Sequence, residues 1–442
     1  MSKKLSILLV LIVGVIGIFM VIQLVRPRFM PDATSSTDAE SDNPDEIEAL
    51  LAFSHCMQDN GVPDYPDPKD GGINLLGTGI DRNTPEFQAA QAVCEPLLPH
   101  APGPVQGERA GEMIVPADSE WEKVVPGGDC HCANGSEFAF WVRPADPTKV
   151  VLFLEGGGAC WDATTCAFSD ANSTTYDWNV TGGDHPVFQS GILDLSHPDN
   201  PFADYSFVFV PYCTGDVHLG NRTQAYSPEL TVSHNGFVNS TTALAYLTEN
   251  YPDADQVFVV GVSAGSVAAP VYGGLAADAL PEAQITVFAD SSGAYPDDPD
   301  INTDLLGLWG VFETMPGWDV NEGLTAQDWG FPRFWIQTGR HNPQIVMARF
   351  DHAFDQVQAD YMTMIGLDAS NLIASINANE AAIEDAGVIQ HSYTAPGNNH
   401  GVFSDEAFYT MAINRVTLVD WVKALIAGEP LDDVHCDECV TE

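Results

Sequence analysis

Basic residues are scarce in this 442-residue chain: 16 lysines and arginines stand against 62 aspartates and glutamates, a formal net charge of −46. Only six of the sixteen are lysines. A surface this acidic repels phosphate backbones and gains nothing from counterion release, so nucleic acid is excluded as a partner. Anionic membrane surfaces are disfavoured on the same ground. Such self-repulsion suits a protein living in salt, where exposed charges are screened within roughly 3 Å at 1 M. Nucleotide signatures are missing too. Neither GxxxxGK[ST] nor a complete GxGxxG occurs, so the glycine runs are not phosphate cradles. The stretch 298–304, DPDINTD, lacks the glycine of an EF-hand's sixth position, and it reads as a solvated acidic loop. No internal repeat with a period of roughly 20–50 residues is present. Apolar residues are not scarce: 45% hydrophobic and 10% aromatic exclude disorder of the whole chain. At roughly 150 residues per domain the length allows about three domains.

The first 29 residues are a different material. Lys3 and Lys4 precede an uncharged apolar run of 21 residues, Leu5 to Val25, closed by Arg26-Pro27-Arg28. As helix it would reach about 31 Å, enough for a bilayer core. Cleaved signal peptides have apolar runs of roughly 7–15 residues and a small-residue cleavage site. No clear Ala-x-Ala follows this one. Residues 1–29 are therefore expected to be an uncleaved transmembrane anchor, with a cleaved signal and a secreted body as the alternative. The flanking positive charges balance, two on each side, so orientation rests on cysteine. All nine cysteines follow the run, and such clustering after a targeting segment reads as disulfides in an oxidising compartment. The body is expected at the cell envelope, on the extracytoplasmic side. An odd count leaves one thiol free or paired between chains.

Residues 30–48 are polar and acidic, a flexible linker. Residues 49–100 form a small helical module, with EIEALLAFSHCM and PEFQAAQAVCEPLLP at helical spacing around a turn-rich GVPDYPDP. Cys56 and Cys94 would staple its helices, closing a loop worth about 4 kcal/mol in the chain-entropy model. The module resembles one that recurs in actinobacterial envelope proteins, on its CM…GVP…PDP start and PEFQAAQ…C finish; a wall or ligand contact and a plain spacer both suit it. Residues 101–118 are a proline-rich second linker, 119–428 the chemistry-bearing domain, and 429–442 a cysteine-containing tail.

Within 119–428 apolar β-branched runs alternate with helical segments. VVLFLEGGG, SFVFVPYC (206–213), QVFVVGVS (256–263), ITVFADSSG (285–293) and RFWIQTG (333–339) read as buried strands. Helices are expected at 236–249, 265–280, 353–366 and 405–427. This repetition implies the α/β class, an open, mostly parallel sheet flanked by helices, with its site at the carboxyl ends of the strands.

At one such end lies Gly261-Val262-Ser263-Ala264-Gly265. In a Gly-x-Ser-x-Gly elbow the serine sits on a strained strand-to-helix corner, as a nucleophile. Gly156-Gly157-Gly158 directly follows VVLFLE, matching a loop that offers oxyanion N–H groups. The base must be a later histidine. His400, in PGNNHGVF, lies in a late loop before the C-terminal helix, and His391 is its nearest rival. For the acid, Asp351, Asp355 and Asp290 all stand at or just past strand ends.

These landmarks carry a resemblance. CANGS (132–136), LFLEGGGACW (152–161), VPYCTGDVHLGN (210–221), GVSAGS (261–266), ADSSG (289–293), FDQVQ (354–358) and NNHGVF (398–403) resemble, in order, the pectin acetylesterase family, which includes the animal carboxylesterase Notum. The resemblance implies an α/β-hydrolase fold and ester hydrolysis by Ser263 with His400 as base. Its aromatic-Asp-x-x-Gln context selects Asp355 as the acid, and it implies an oxyanion hole of Gly157, Gly158 and Ala264 N–H groups. It also implies the disulfides Cys132–Cys213 and Cys160–Cys166. Two departures stand out. Ser266 replaces the second glycine after the elbow, and Gly158-Ala159 replace a bulky aromatic pair of Notum, which argues against a lipid pocket.

The chain is thus expected to be an extracytoplasmic serine carboxylesterase removing acetyl or short acyl groups from a polysaccharide, through an acyl-enzyme, with no cofactor and no metal. Its partners are an acylated carbohydrate or other ester substrate and, through the N-terminal segment, a membrane. A catalytically silent surface-binding protein and a Notum-like lipid or protein deacylase are the alternatives. Cys130, Cys436 and Cys439 remain unassigned; with His131, Cys132 and His435 they could instead form a zinc site. The aromatic stripe Trp309, Phe312, Trp318, Trp329 and Phe331 reads as core, with a sugar-cleft floor as the alternative.

Overall fold

The computed structural model describes residues 44–63, isolated positions between 65 and 94, residues 120–168 and 175–436, and residue 439. The expected anchor 1–29, residues 30–43 of the first linker and the second linker 101–118 lie outside them. Among the described residues no helix is long and apolar enough to cross a membrane. Two compact units are formed, Met1–Pro99 and His100–Glu442.

In the first unit, helix α1 (Pro44–Asp59) places Phe53 and Met57 on one face, four residues apart. They bury with Val62, Tyr65, Ala90 and Cys94 in a core of its own. So small a core supplies little stability, and the Cys56–Cys94 disulfide closes it, with Cα atoms 5.6 Å apart.

The second unit is built on nine strands: β1 (Glu122–Val124), β2 (Phe140–Arg143), β3 (Asp146–Leu154), β4 (Tyr205–Val210), β7 (Gln256–Val262), β8 (Gln284–Asp290), β9 (Val346–His352), β10 (Gln390–Ala395) and β13 (Val434–His435), with a hairpin of β5 (Arg222–Ser227) and β6 (Leu230–His234) outside the sheet. Their order is β1-β2-β4-β3-β7-β8-β9-β10-β13. From β4 to β13 every pairing is parallel, and β1 and β2 add an antiparallel edge.

Alternation along each strand divides the core. Val150, Leu152, Leu154, Val257 and Val259 bury on one face; Val151, Phe153, Phe258 and Val260 bury on the other. Each such side chain contributes roughly 1.5–3 kcal/mol. Helices α2 (Gly236–Asn250), α3 (Ala264–Ala279), α4 (Pro299–Trp309) and α5 (Phe331–His341) contribute to the first face. Helices α6 (Gln356–Met364) and α7 (Leu372–Asp385) follow β9, and α8 (Ala407–Thr410), the two-residue strands β11 (Ala412–Ile413) and β12 (Val416–Thr417), and α9 (Leu418–Ile426) close the chain. Both α8 and α9 bury apolar residues in the second face.

Three expectations are corrected. RFWIQTG is not a strand but part of α5, with Phe331, Phe334, Trp335 and Thr338 buried at helical spacing. Short apolar runs suit either element. The glycine that read as a strand end, Gly339, is a packing position: a Cβ there would lie 2.4 Å from Val388 Cγ1. The expected helix 405–427 is broken into α8, a hairpin and α9, because Asn414 and Arg415 take left-handed φ values of 52° and 70° and turn the chain tightly. The stretch 298–304 is the start of α4, where the Asp298 carboxylate accepts the N–H groups of Asp300 and Ile301 and Pro299 opens the first turn. Strand β10 escapes a reading for apolar runs because Gln390, Ser392 and Thr394 are polar yet buried.

Candidate active site

Strand register brings the motif-bearing ends together. Leu154 pairs with Gly261, Val262 with Asp290, Asp290 with Phe350, and His352 with Ala395. Neighbouring strands lie about 4.8 Å apart, so the loops after β3, β7, β8, β9 and β10 open onto one crevice. Strand β3 is also where the order reverses, with β4 on one side and β7 on the other. Open α/β sheets bind ligands at such switch points.

Ser263 stands between β7 and α3 with φ 52° and ψ −117°, a backbone that costs about 1–3 kcal/mol for a residue with a Cβ. The surrounding glycines allow the corner. A Cβ on Gly261 would lie 2.1 Å from Gly265 O, and one on Gly265 would lie 2.1 Å from Leu154 O. Ser266 is accommodated where the motif departs: it is fully buried and its hydroxyl donates to Ser263 O.

The glycine loop after β3 presses against this corner, since a Cβ on Gly156 would lie 2.8 Å from Ser263 Cβ. Among the described residues the N–H groups of Gly157, Gly158 and Ala264 donate to no backbone carbonyl. Gly158 has φ 75°, and a Cβ there would lie 2.0 Å from Thr175 O, so no bulky side chain fits. The preceding residue, Glu155, went unnoticed in the sequence. Its carboxylate accepts Tyr212 N–H at 3.3 Å, and burial, then the charges of Asp184 and Asp177, push it well above the ordinary carboxylate range. A lone acid within LFLEGGG gives no signal of that burial.

His400 Nδ1 lies 2.8 Å from Asp355 Oδ2 and 3.0 Å from Oδ1. That contact fixes the tautomer with hydrogen on Nδ1, leaving Nε2 to accept. Nε2 is buried and has no hydrogen-bond partner; no bond to Ser263 forms in this conformation. Burial alone would lower the His400 pKa, but the hydrogen bond and charge of Asp355, with the charges of Asp290 and Asp351, outweigh it and hold the ring above the ordinary 6.5.

Among the three acids only Asp355 touches that ring. It caps α6, fully buried, and accepts both the backbone and side-chain N–H groups of Gln358 at 3.0 Å. Gln358 also donates to Asp351, which accepts Gly293 N–H at 2.8 Å. Burial pushes Asp351 up to about 6. Asp290 binds backbone N–H groups of the His400 loop. The rival His391, on β10, lies 3.9 Å from Asp433. His218 and His234 are buried and pushed down to about 4 by that burial, which suits neutral structural rings.

Ser263, Ala264 and Gly158 line a cavity that is partly open to solvent. Its other walls are apolar, including Trp161, Val267, Leu305, Trp309, Phe331 and Tyr361. Trp309 and Phe331 of the aromatic stripe thus meet the cavity, whereas Trp318 stacks on His341 at 4.3 Å and Trp329 packs on Phe334.

The disulfides Cys132–Cys213 and Cys160–Cys166 are present, and Cys436–Cys439 adds a fourth. These bonds consume three of the four sulfurs of the zinc alternative, those of Cys132, Cys436 and Cys439. Cys130 is the free cysteine, with its thiol 3.3 Å from Thr242 Oγ1.

Residues 125–308 match the Pectinacetylesterase family model. The palmitoleoyl-protein carboxylesterase NOTUM of Schmidtea mediterranea is 29% identical over 143 residues, 31% of this chain and 26% of that protein. The human NOTUM is 28% identical over 102 residues, 22% of this chain and 20% of that protein. The chain therefore spans about a quarter of the length of the curated relatives it matches. The structure of the Wnt deacylase Notum from Drosophila superposes over 73% of this chain and 98% of its own, with a TM-score of 0.54 and 17% identity. The fold is a Notum-like α/β-hydrolase.

Proposed function

We propose that this chain, which resembles the pectin acetylesterase and Notum family, is an extracytoplasmic serine carboxylesterase. The observation that carries the reading is one cavity lined by Ser263 on its strained corner and by Gly158 and Ala264 beside it. Substrate binds with its acyl group in the apolar cavity and its ester carbonyl at Ser263. His400 Nε2 takes the Ser263 proton as Oγ attacks the carbonyl carbon, while Asp355 holds Nδ1–H and offsets the imidazolium charge. Gly157, Gly158 and Ala264 donate N–H groups to the oxyanion. Collapse expels the alcohol, which takes the proton from Nε2 and leaves an acyl-Ser263 ester. Water, deprotonated by His400, releases the acid and restores the serine. None of these steps calls for a cofactor.

Acetyl or another short acyl on a carbohydrate is the first substrate reading. A polyanionic pectin meets the acidic surface unfavourably in low salt, so a neutral acetylated polymer fits better. A second reading, deacylation of a lipid or an acylated protein, is favoured by the cavity itself. Gly158 and Ala159 bring no aromatic wall, but Trp161, Trp309 and Phe331 do. Extracytoplasmic placement is supported by the disulfides, and anchoring through residues 1–29 remains part of the proposal.

Turnover of p-nitrophenyl acetate and octanoate by the full chain and its Ser263→Ala variant tests the reading. Serine-dependent hydrolysis is expected, and the preferred chain length separates the two substrate classes. Full turnover by Ser263→Ala would sink the mechanism. A folded wild type with neither turnover nor labelling by an organophosphonate would instead be a binding protein on a hydrolase fold.

A further inference from the structure

Asp290 does not touch the His400 ring, yet it grips the loop that carries it. Its Oδ2 accepts the N–H groups of Val402 and Phe403, both at 2.8 Å. Its Oδ1 accepts the Ser291 hydroxyl at 3.1 Å, and that hydroxyl oxygen in turn accepts Gly401 N–H at 2.8 Å. The three N–H groups that follow His400 are thus all held from the end of β8. On its other side the main-chain carbonyl of Asp290 accepts Ser263 N–H, again at 2.8 Å.

The arrangement is dedicated. Asp290 is fully buried, and Ser291 takes a left-handed φ of 70° in the corner where its hydroxyl meets Gly401. Hydrogen bonds from backbone N–H groups to a buried carboxylate are short and strong compared with neutral ones. The His400 ring itself has one hydrogen-bond contact, at Nδ1, and its Nε2 has none. Where Nε2 lies relative to Ser263 therefore depends on Asp355 and on the main chain of residues 400–403.

We propose that Asp290 is a positioning residue that sets the distance between His400 and Ser263 by holding both main chains at once; this rests on reading those two residues as base and nucleophile. Near-attack geometry is steep, and a misplacement of about 1 Å costs on the order of 10²-fold in rate.

Charge gives a second, separable signature. The groups facing His400 are Asp355 at the start of α6, Asp351 and His352 on β9, and Asp290 on β8. Removing the Asp290 charge lowers the pH at which His400 gains its proton.

Asp290→Ala and Asp290→Asn in the full chain test the proposal. With a p-nitrophenyl ester, Asp290→Ala is expected to lose about 10²-fold in kcat with KM within about twofold, because the acyl cavity is untouched. Asp290→Asn keeps an oxygen for the Val402 and Phe403 N–H groups and is expected to recover most of kcat. Its acid limb should move to lower pH, and the His400 imidazole should titrate lower by NMR. Wild-type kcat and an unmoved acid limb in both folded variants would overturn the proposal, as would equal losses in both with an unmoved His400 titration. The NMR titration needs no turnover. If wild-type Ser263 takes no organophosphonate label, the esterase reading fails separately, whereas wild-type kcat in folded Asp290→Ala rejects the positioning role on its own.

Discussion

His400 Nδ1 rests 2.8 Å from Asp355 Oδ2, while His400 Nε2 is buried with no partner. One nitrogen is committed and the other is available, which is the state a general base needs. Asp351 lies four residues earlier and shares Gln358 with Asp355, but it does not bond the ring. Asp355→Asn is expected to lower kcat roughly 10⁴-fold by favouring the wrong tautomer. Asp351→Asn should cost far less. Steady-state kinetics on folded variants separates them; equal losses would mean that the two acids act as one unit.

Activity should fall on the acid side with a midpoint above 6.5. With His400 as the proposed base, catalysis needs the ring neutral, and its carboxylate neighbours raise the pH at which it deprotonates. High salt should pull that midpoint down only weakly, since buried pairs are screened little. The kcat/KM profile of the full chain is the measurement.

Asp351 makes stability depend on pH in the opposite sense from a salt-bridged carboxylate. Its folded pKa of about 6 stands above the ordinary 3.8, so the folded state holds its proton more tightly. The associated stability is complete below the ordinary value and is lost as pH rises through about 6. The loss between pH 5 and pH 8 is on the order of 1 kcal/mol. Urea denaturation at both pH values should show a loss larger by about that amount in wild type than in Asp351→Asn.

On the proposed binding mode, acyl preference rests on particular side chains of the cavity. Val267→Trp or Leu305→Trp would fill space beside Ser263. Octanoate hydrolysis should drop at least about tenfold, the scale of losing a few buried methylenes, with acetate hydrolysis little changed. Equal loss on both esters would place the acyl chain elsewhere.

The elbow glycines should tolerate nothing larger. Gly261→Ala and Gly265→Ala each drive a Cβ to 2.1 Å from a backbone oxygen. A loss of several kcal/mol is expected, of the size that off-scale core strain produces. Thermal unfolding measures it, and Gly182→Ala, where a Cβ meets nothing within 4 Å, is the control.

By itself the sequence determined the α/β class and placed Ser263 at the end of a buried strand, because apolar runs and an elbow motif are local patterns. Chain order and a late loop pointed to His400, with His391 as its rival, whereas Asp355 was legible only through resemblance, since nothing local distinguishes one of 62 acids from the rest. Local patterning also misread RFWIQTG, whose period was too short to separate strand from helix, and the run 405–427, where Asn414 and Arg415 turn the chain. Other relationships existed only once strands from distant parts of the chain lay side by side. The register of β7 against β8 put the Asp290 carbonyl on Ser263 N–H. The return of residues 400–403 put three N–H groups on Asp290 and Ser291. Packing of α4 and α5 against the same crevice made the cavity apolar. Contacts between residues about a hundred positions apart follow from burial and register, and these are properties of the folded chain.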